Sequence, residues 1–146
     1  KKSLPVDLAV CAAAVSDFKP AEKNKNKIKK EKINFKYLNF IKNNDILEFI
    51  SKNNKHRPSV VAGFSAETEN LKKNSISKLK KKHCDIIFAN DVSQKDIGFN
   101  SDYNKISVID KTGSIKVIPK SKKSFIAKKI VEILLDKLLI NDRNIN

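Results

Sequence analysis

Two lysine clusters dominate the groups able to do chemistry in this 146-residue chain: Lys27-Ile28-Lys29-Lys30, and Lys78-Leu79-Lys80-Lys81-Lys82 at the end of a helical pattern. Lys78 and Lys82 are i, i+4 neighbours, so on a helix they project from one face, where like charges repel unless an anion lies between them. A polyphosphate is such an anion, and solvated decoration is the alternative in so lysine-rich a chain. Among acidic residues, Asp17 directly follows an apolar run. It can hold a ribose hydroxyl, a nucleobase edge or a divalent cation, or simply cap a turn. Glu67 and Asp91 are general-base candidates by residue type only. Phe64 can stack on a base or pack in the core. Two histidines, His56 and His83, are too few and too far apart for a metal site, and the two cysteines are Cys11, inside an apolar run, and Cys84, after a lysine cluster. With no C-x-x-C pair, the cysteines suggest a reduced, cytoplasmic setting.

Only three glycines occur, Gly63, Gly98 and Gly113, and no G-x-G-x-x-G or Walker loop can be formed from them. Any phosphate site must therefore be built from lysines and strand-end backbone. The formal net charge of +15, from 31 Lys+Arg against 16 Asp+Glu, invites a nucleic-acid partner. Yet the excess is nearly all Lys, Asn and Ile are abundant, and Trp and Met are absent, the pattern of a coding bias. Charge alone therefore names no partner. No apolar run approaches the ~20 residues needed to cross a bilayer, and no signal peptide is read at the start.

The elements that must position these groups follow from the apolar pattern. Residues 8–15 form a run of strand length, small and β-branched, as expected of a strand buried on both faces of a parallel sheet. Residues 19–32 carry charge without apolar periodicity and predict a mobile, lysine-rich flap. Residues 33–40 alternate as a short strand. Asn44-Asp45 is an N-cap candidate for a helix over 46–52, with Ile46, Leu47, Phe49 and Ile50 on its buried side. A second buried strand (59–64), a helix (69–82) with Leu71, Ile76 and Leu79 at helical spacing, and a third buried strand (85–89) follow. Residues 90–104 read as irregular. Strands at 105–110 and 114–119 flank Lys111-Thr112-Gly113 as a β-hairpin. A final amphipathic helix over 122–140 runs on Phe125, Ile126, Ile130, Ile133, Leu134 and Leu138. The order predicts one α/β domain with a Rossmann-like, mainly parallel sheet and flanking helices. Such sheets bind ligands beyond the carboxyl ends of their strands, here residues 13–17, 64–68 and 89–93.

Six segments, in order and at compatible spacing, resemble the phosphopantothenoylcysteine synthetase domain of bacterial coenzyme A biosynthesis. They are Ala12-Ala13-Ala14-Val15-Ser16-Asp17-Phe18-Lys19-Pro20; Lys27-Ile28-Lys29-Lys30; Asn43-Asn44-Asp45-Ile46-Leu47; Val61-Ala62-Gly63-Phe64-Ser65-Ala66-Glu67-Thr68-Glu69-Asn70; the lysine helix leading through Asp85 to Ala89-Asn90-Asp91-Val92-Ser93; and Gly98-Phe99-Asn100-Ser101-Asp102-x-Asn104. The resemblance covers roughly residues 8–110, and the last helix also fits.

The resemblance implies a ligase that joins 4′-phosphopantothenate to L-cysteine at the expense of CTP, with Mg2+ and through an acyl-cytidylate intermediate. The alternatives are a basic nucleic-acid-binding module and a nucleotide-binding domain without catalysis. By the resemblance Cys11, Ala12 and Ala13 contact the nucleotide through backbone, with Asp17 close by. Lys27 acts on the activated intermediate. Ile41, Lys42, Asn43 and Asn44 border base and ribose, Phe64 packs on the nucleotide, and Lys78 and Lys82 bind its phosphates. The Mg2+ ligands are not assigned. A homodimer is implied, and FMN would belong only to a fused decarboxylase domain. Asn44 stands where the family usually has Pro, and Ser65 where it usually has Ala. The family's Gly-rich opening and Asn-x-Ser-Ser-Gly-type motif are not found in these residues. The chain is thus expected to represent the last two-thirds of the domain and, alone, to bind nucleotide without ligating.

Overall fold

The computed structural model describes residues 4–22, 38–53, 55–93 and 101–143. Their elements are β1 (Leu8–Cys11), β2 (Phe18–Pro20), β3 (Phe40–Lys42), α1 (Ile46–Ser51), β4 (Val60–Glu67), α2 (Leu71–Lys82), β5 (Ile86–Asp91), β6 (Tyr103–Asp110), β7 (Ile115–Lys122) and α3 (Lys123–Arg143). The chain falls into two compact units, Lys1–Ala12 with Ile46–Asn146, and Ala13–Asp45.

In the larger unit the sheet order is β1-β4-β5-β6-β7. β1 pairs with β4 and β4 with β5 in parallel, whereas β5–β6 and β6–β7 are antiparallel. Four of the five strands therefore run in one direction, and the expected mainly parallel α/β sheet is present. Side chains along a strand point alternately to opposite faces. Val60, Ala62, Ile86 and Phe88 accordingly enter one core with Ile126, Ile130 and Leu134 of α3. Val61, Ile87 and Ala89 enter a second core with Leu47 of α1, Leu79 of α2 and Cys84. Helices cover both faces of β4 and β5, which is why these strands read as continuous apolar runs.

The hairpin is confirmed and longer at both outer ends, with Gly113 at φ 81° in its turn, a backbone region open to glycine. Asp110 Oδ1 accepts from Thr112 N at 2.9 Å, Thr112 Oγ1 at 2.6 Å and Ser114 N at 3.2 Å, closing the turn. At the start of β5, Asp85 is only 4% exposed and accepts from Val61 N at 2.7 Å and Arg57 Nη2 at 2.8 Å, with Lys111 also paired to it. Arg57 donates further to the carbonyls of Ser51, Pro58 and His83. This buried charge is paired on several sides, as burial demands.

Several expectations need correction. β1 stops at Cys11 and is not buried on both faces: it is the edge strand of the described sheet, and Val10 is 42% exposed. In α1 Leu47 is buried and Ile50 packs against the same core as expected, but Ile46 and Phe49 are about half exposed. A helix of under two turns has too few residues for periodicity to fix its face. In α3 Phe125 lies outside the core, whereas Ile133 and Leu138 pack against it with the three buried residues. β5 runs to Asp91, into the stretch expected to be irregular. Within the smaller unit, Phe18–Pro20, partly in the expected flap, pairs antiparallel with Phe40–Lys42. Residues 23–37, which hold most of the expected flap and the 33–40 strand, lie outside the described residues.

Candidate functional site

Within the larger unit, the carboxyl ends of β4 and β5 meet the side of α2. Ser75, fully buried, shares a hydrogen bond of 2.9 Å with buried Ser65, which fixes the face α2 turns to the sheet. One turn on, Lys78 is directed to the same strand: its Nζ donates to the Phe64 carbonyl at 2.8 Å. That acceptor is a neutral carbonyl, which takes one of the three N–H donors of the ammonium and cancels none of its charge. The Phe64 ring lies 5.2 Å from that of Phe88, tilted by 38°, and packs against the α3-side core. Core packing is thus one role of Phe64, and its carbonyl is what meets Lys78.

Lys82, a turn farther along α2, is differently placed. Its Nζ pairs with Glu48 Oε2 at 3.2 Å, and Glu48 Oε1 takes Lys52 Nζ at 2.7 Å. The hydrogen bonds from Lys52 and then Lys82 hold the Glu48 carboxyl below its ordinary range. Sequence reasoning missed Glu48. Its one available signal was the Glu48–Lys52 spacing of i, i+4, since the partnership with Lys82 spans 34 residues.

Glu67 and Asp91 face each other in the β4–β5 register. Glu67 Oε2 accepts from Asn74 Nδ2 at 3.0 Å, and Asp91 Oδ1 accepts from Ser93 N at 3.0 Å and Ser93 Oγ at 2.6 Å. Between them in sequence, Asn90 leaves a buried Oδ1 without a hydrogen-bond partner. Cys11 ends β1 opposite Gly63, one residue before Phe64, and Ala12 follows it, exposed.

In the smaller unit, the β2–β3 pair brings together Asp17, Lys42 and Asn43. Asn43 N donates to the Asp17 carbonyl at 2.8 Å, and its Nδ2 to the Ser16 carbonyl at 2.7 Å. The Ser16 hydroxyl bonds to the Phe18 backbone, so this turn does not use the Asp17 carboxylate. Ala13, Asp17, Ile41, Lys42 and Asn44 are exposed. Lys27 lies outside the described residues. Among the described residues no group of three or more His, Cys, Asp or Glu could hold a metal ion, and no helix is long and apolar enough to cross a membrane.

Residues 1–138 match the family described as the DNA/pantothenate metabolism flavoprotein C-terminal domain. The chain belongs to this family. Among relatives of this flavoprotein C-terminal domain, the coenzyme A biosynthesis bifunctional protein CoaBC of Borreliella burgdorferi is 43% identical over 129 residues, covering 88% of this chain and 32% of the relative. CoaBC of Escherichia coli K12 is 36% identical over 135 residues, covering 91% and 32%. The chain therefore spans about a third of the length of these relatives. The crystal structure of the C-terminal domain of CoaBC matches 94% of this chain and 58% of its own, with a TM-score of 0.64 at 24% identity, which supports the fold.

Proposed function

We propose that this chain carries the ligase part of coenzyme A biosynthesis, joining 4′-phosphopantothenate to L-cysteine at the expense of CTP. The observation that carries the reading is the Lys78 ammonium, held by the neutral Phe64 carbonyl in the carboxyl half of β4, which cancels none of its charge. Family membership supplies the substrate class. In the proposed reaction a carboxylate oxygen of phosphopantothenate attacks the α-phosphorus of CTP and pyrophosphate leaves. The cysteine amine then attacks the acyl carbon, loses a proton and expels CMP. No protein nucleophile is needed, and cationic side chains stabilise the charge that develops on phosphate. Mg2+ enters with CTP as part of the substrate, taking most of its ligands from phosphate and water.

In this reading Lys78 and Lys82 bind the phosphates, and Cys11, Ala12 and Ala13 offer backbone contacts. Asp17, Ile41, Lys42, Asn43 and Asn44 border base and ribose, Phe64 packs on the nucleotide, and Lys27 acts on the acyl-cytidylate. A homodimer in the cytoplasm belongs to the same proposal, as does the placing of FMN in a decarboxylase half outside these residues. Calorimetry tests it: CTP with Mg2+ should bind more tightly than ATP or GTP, and Lys78→Ala should weaken CTP by roughly tenfold, the order of a charge-assisted contact. No heat with CTP, or equal affinity for all three nucleotides, overturns the proposal. Pyrophosphate release should be absent with the 146 residues alone. It should appear once the preceding segment of the Borreliella burgdorferi relative is joined to them, and Lys27→Gln should then abolish it while sparing CTP binding.

A further inference from the structure

Lys78 and Lys82 share a helix face yet are held by opposite kinds of partner. Lys78 leans on a carbonyl, which cancels none of its charge, whereas Lys82 leans on a carboxylate, which offsets part of it. Any anion that recruits Lys82 therefore competes with Glu48 for it. Displacing a carboxylate from its only cation would leave an unpaired charge on a side chain 32% exposed. Glu48 is spared that cost because its other oxygen already holds Lys52, at 2.7 Å against 3.2 Å for Lys82. The Lys52 pair is an i, i+4 contact within one helical stretch and does not depend on α2. Lys52 and Lys82 thus share one carboxylate, and of these two only Lys82 lies on α2.

We propose that Glu48 is a positioning residue for nucleotide binding: it holds Lys82 until a polyphosphate takes the ammonium, and Lys52 retains the Glu48 carboxylate when Lys82 leaves. This rests on the reading that Lys78 and Lys82 meet the triphosphate. The lowered Glu48 carboxyl, with Lys52 as the leading cause, agrees with it.

Three consequences have definite signs. Glu48→Gln, which keeps the shape and removes the competing charge, should tighten binding about two- to fivefold, the range of an exposed ion pair. Lys52→Gln, a change outside α2, should weaken binding by a similar factor, because Lys52 then no longer draws on the carboxylate that holds Lys82. In the Glu48→Gln background the effect of Lys52→Gln should shrink to that of Lys55→Gln, which removes a nearby charge outside the cluster. Lys82→Ala should cost less than Lys78→Ala, since its charge starts partly compensated by Glu48.

Calorimetry on the 146-residue chain with CTP and with inorganic tripolyphosphate reads all of these, with melting curves to show that each variant folds. A purely structural Glu48 predicts loss of affinity on substitution, the opposite sign. Unchanged or weaker binding by Glu48→Gln, while Lys78→Ala and Lys82→Ala weaken it, overturns the role of Glu48 and leaves the phosphate reading standing. If neither lysine variant alters affinity, or the chain binds neither probe, the phosphate reading falls and takes this inference with it.

Discussion

Cys84 shows how one buried side chain converts into a measurable pH dependence. It sits in the α1–α2 core with none of its surface exposed, and burial pushes its thiol from 9.0 up to about 11. The folded state therefore holds the thiol proton over a pH range where the unfolded state has released it. Stability from this group is fully present below pH 9 and is lost as pH rises toward 11. Urea unfolding of wild type and Cys84→Ala should accordingly differ most near pH 8, and the wild-type advantage should shrink by pH 10.5. A constant difference would show that Cys84 ionises as easily folded as unfolded. A residue-by-residue reading of the sequence finds such groups unevenly. The i, i+4 relation of Lys78 and Lys82 was legible, because helical geometry alone dictates it. The contrast in their partners was not, because Phe64 and Glu48 reach α2 only through tertiary packing, 14 and 34 residues away in the chain.

At the scale of elements, α1 meets the sheet at a close approach. Its only buried apolar side chain is Leu47, which lies over Gly63 of β4. A Cβ at Gly63 would stand 2.6 Å from Leu47 Cδ2 and 3.1 Å from Ile87 Cδ1, so the glycine is required by close approach of the helix. Gly63→Ala should destabilise the fold by about 1–3 kcal/mol, the usual cost of overpacking. Leu47→Ala alone should cost about 2–3 kcal/mol, in the lower part of the large-to-small range for a side chain 9% exposed. Because the two changes relieve one another, the double variant should be less destabilised than the sum, as chemical denaturation will read. Strict additivity would mean that Leu47 and Gly63 do not meet. Long elements were well read from sequence for the same reason that α1 was not. α3 repeats its apolar spacing over five turns, so Ile126, Ile130, Ile133, Leu134 and Leu138 identified its inner face, whereas six residues of α1 cannot average out Ile46 and Phe49. β1 misled for another reason: its apolar composition is that of an interior strand, yet it stands at the edge of the described sheet.

For the whole molecule the question is what a charge of +15 does to recognition. Lysines stand on α2, β6, β7, α3 and the hairpin turn, and directly after α1, without confinement to one face. A field so spread attracts any polyanion at low salt and speeds encounter with phosphate ligands, but it supplies little discrimination. Discrimination has to come from a fixed cation, and Lys78 on the Phe64 carbonyl is one. Non-specific association releases many counterions and weakens steeply with salt, whereas a triphosphate engaged by a few lysines weakens less. The two modes therefore separate by titration. At about 150 mM salt, where the Debye length is about 8 Å, CTP affinity should be nearly unaffected by an excess of single-stranded oligonucleotide. At a tenth of that salt the oligonucleotide should bind in its own right and lower the apparent CTP affinity by competition for the lysine surface. Lys78→Ala should abolish most of the salt-resistant component and barely alter the salt-sensitive one. If the oligonucleotide displaces CTP at the higher salt, the basic surface is itself the binding site, and the nucleic-acid reading of the composition replaces the ligase reading.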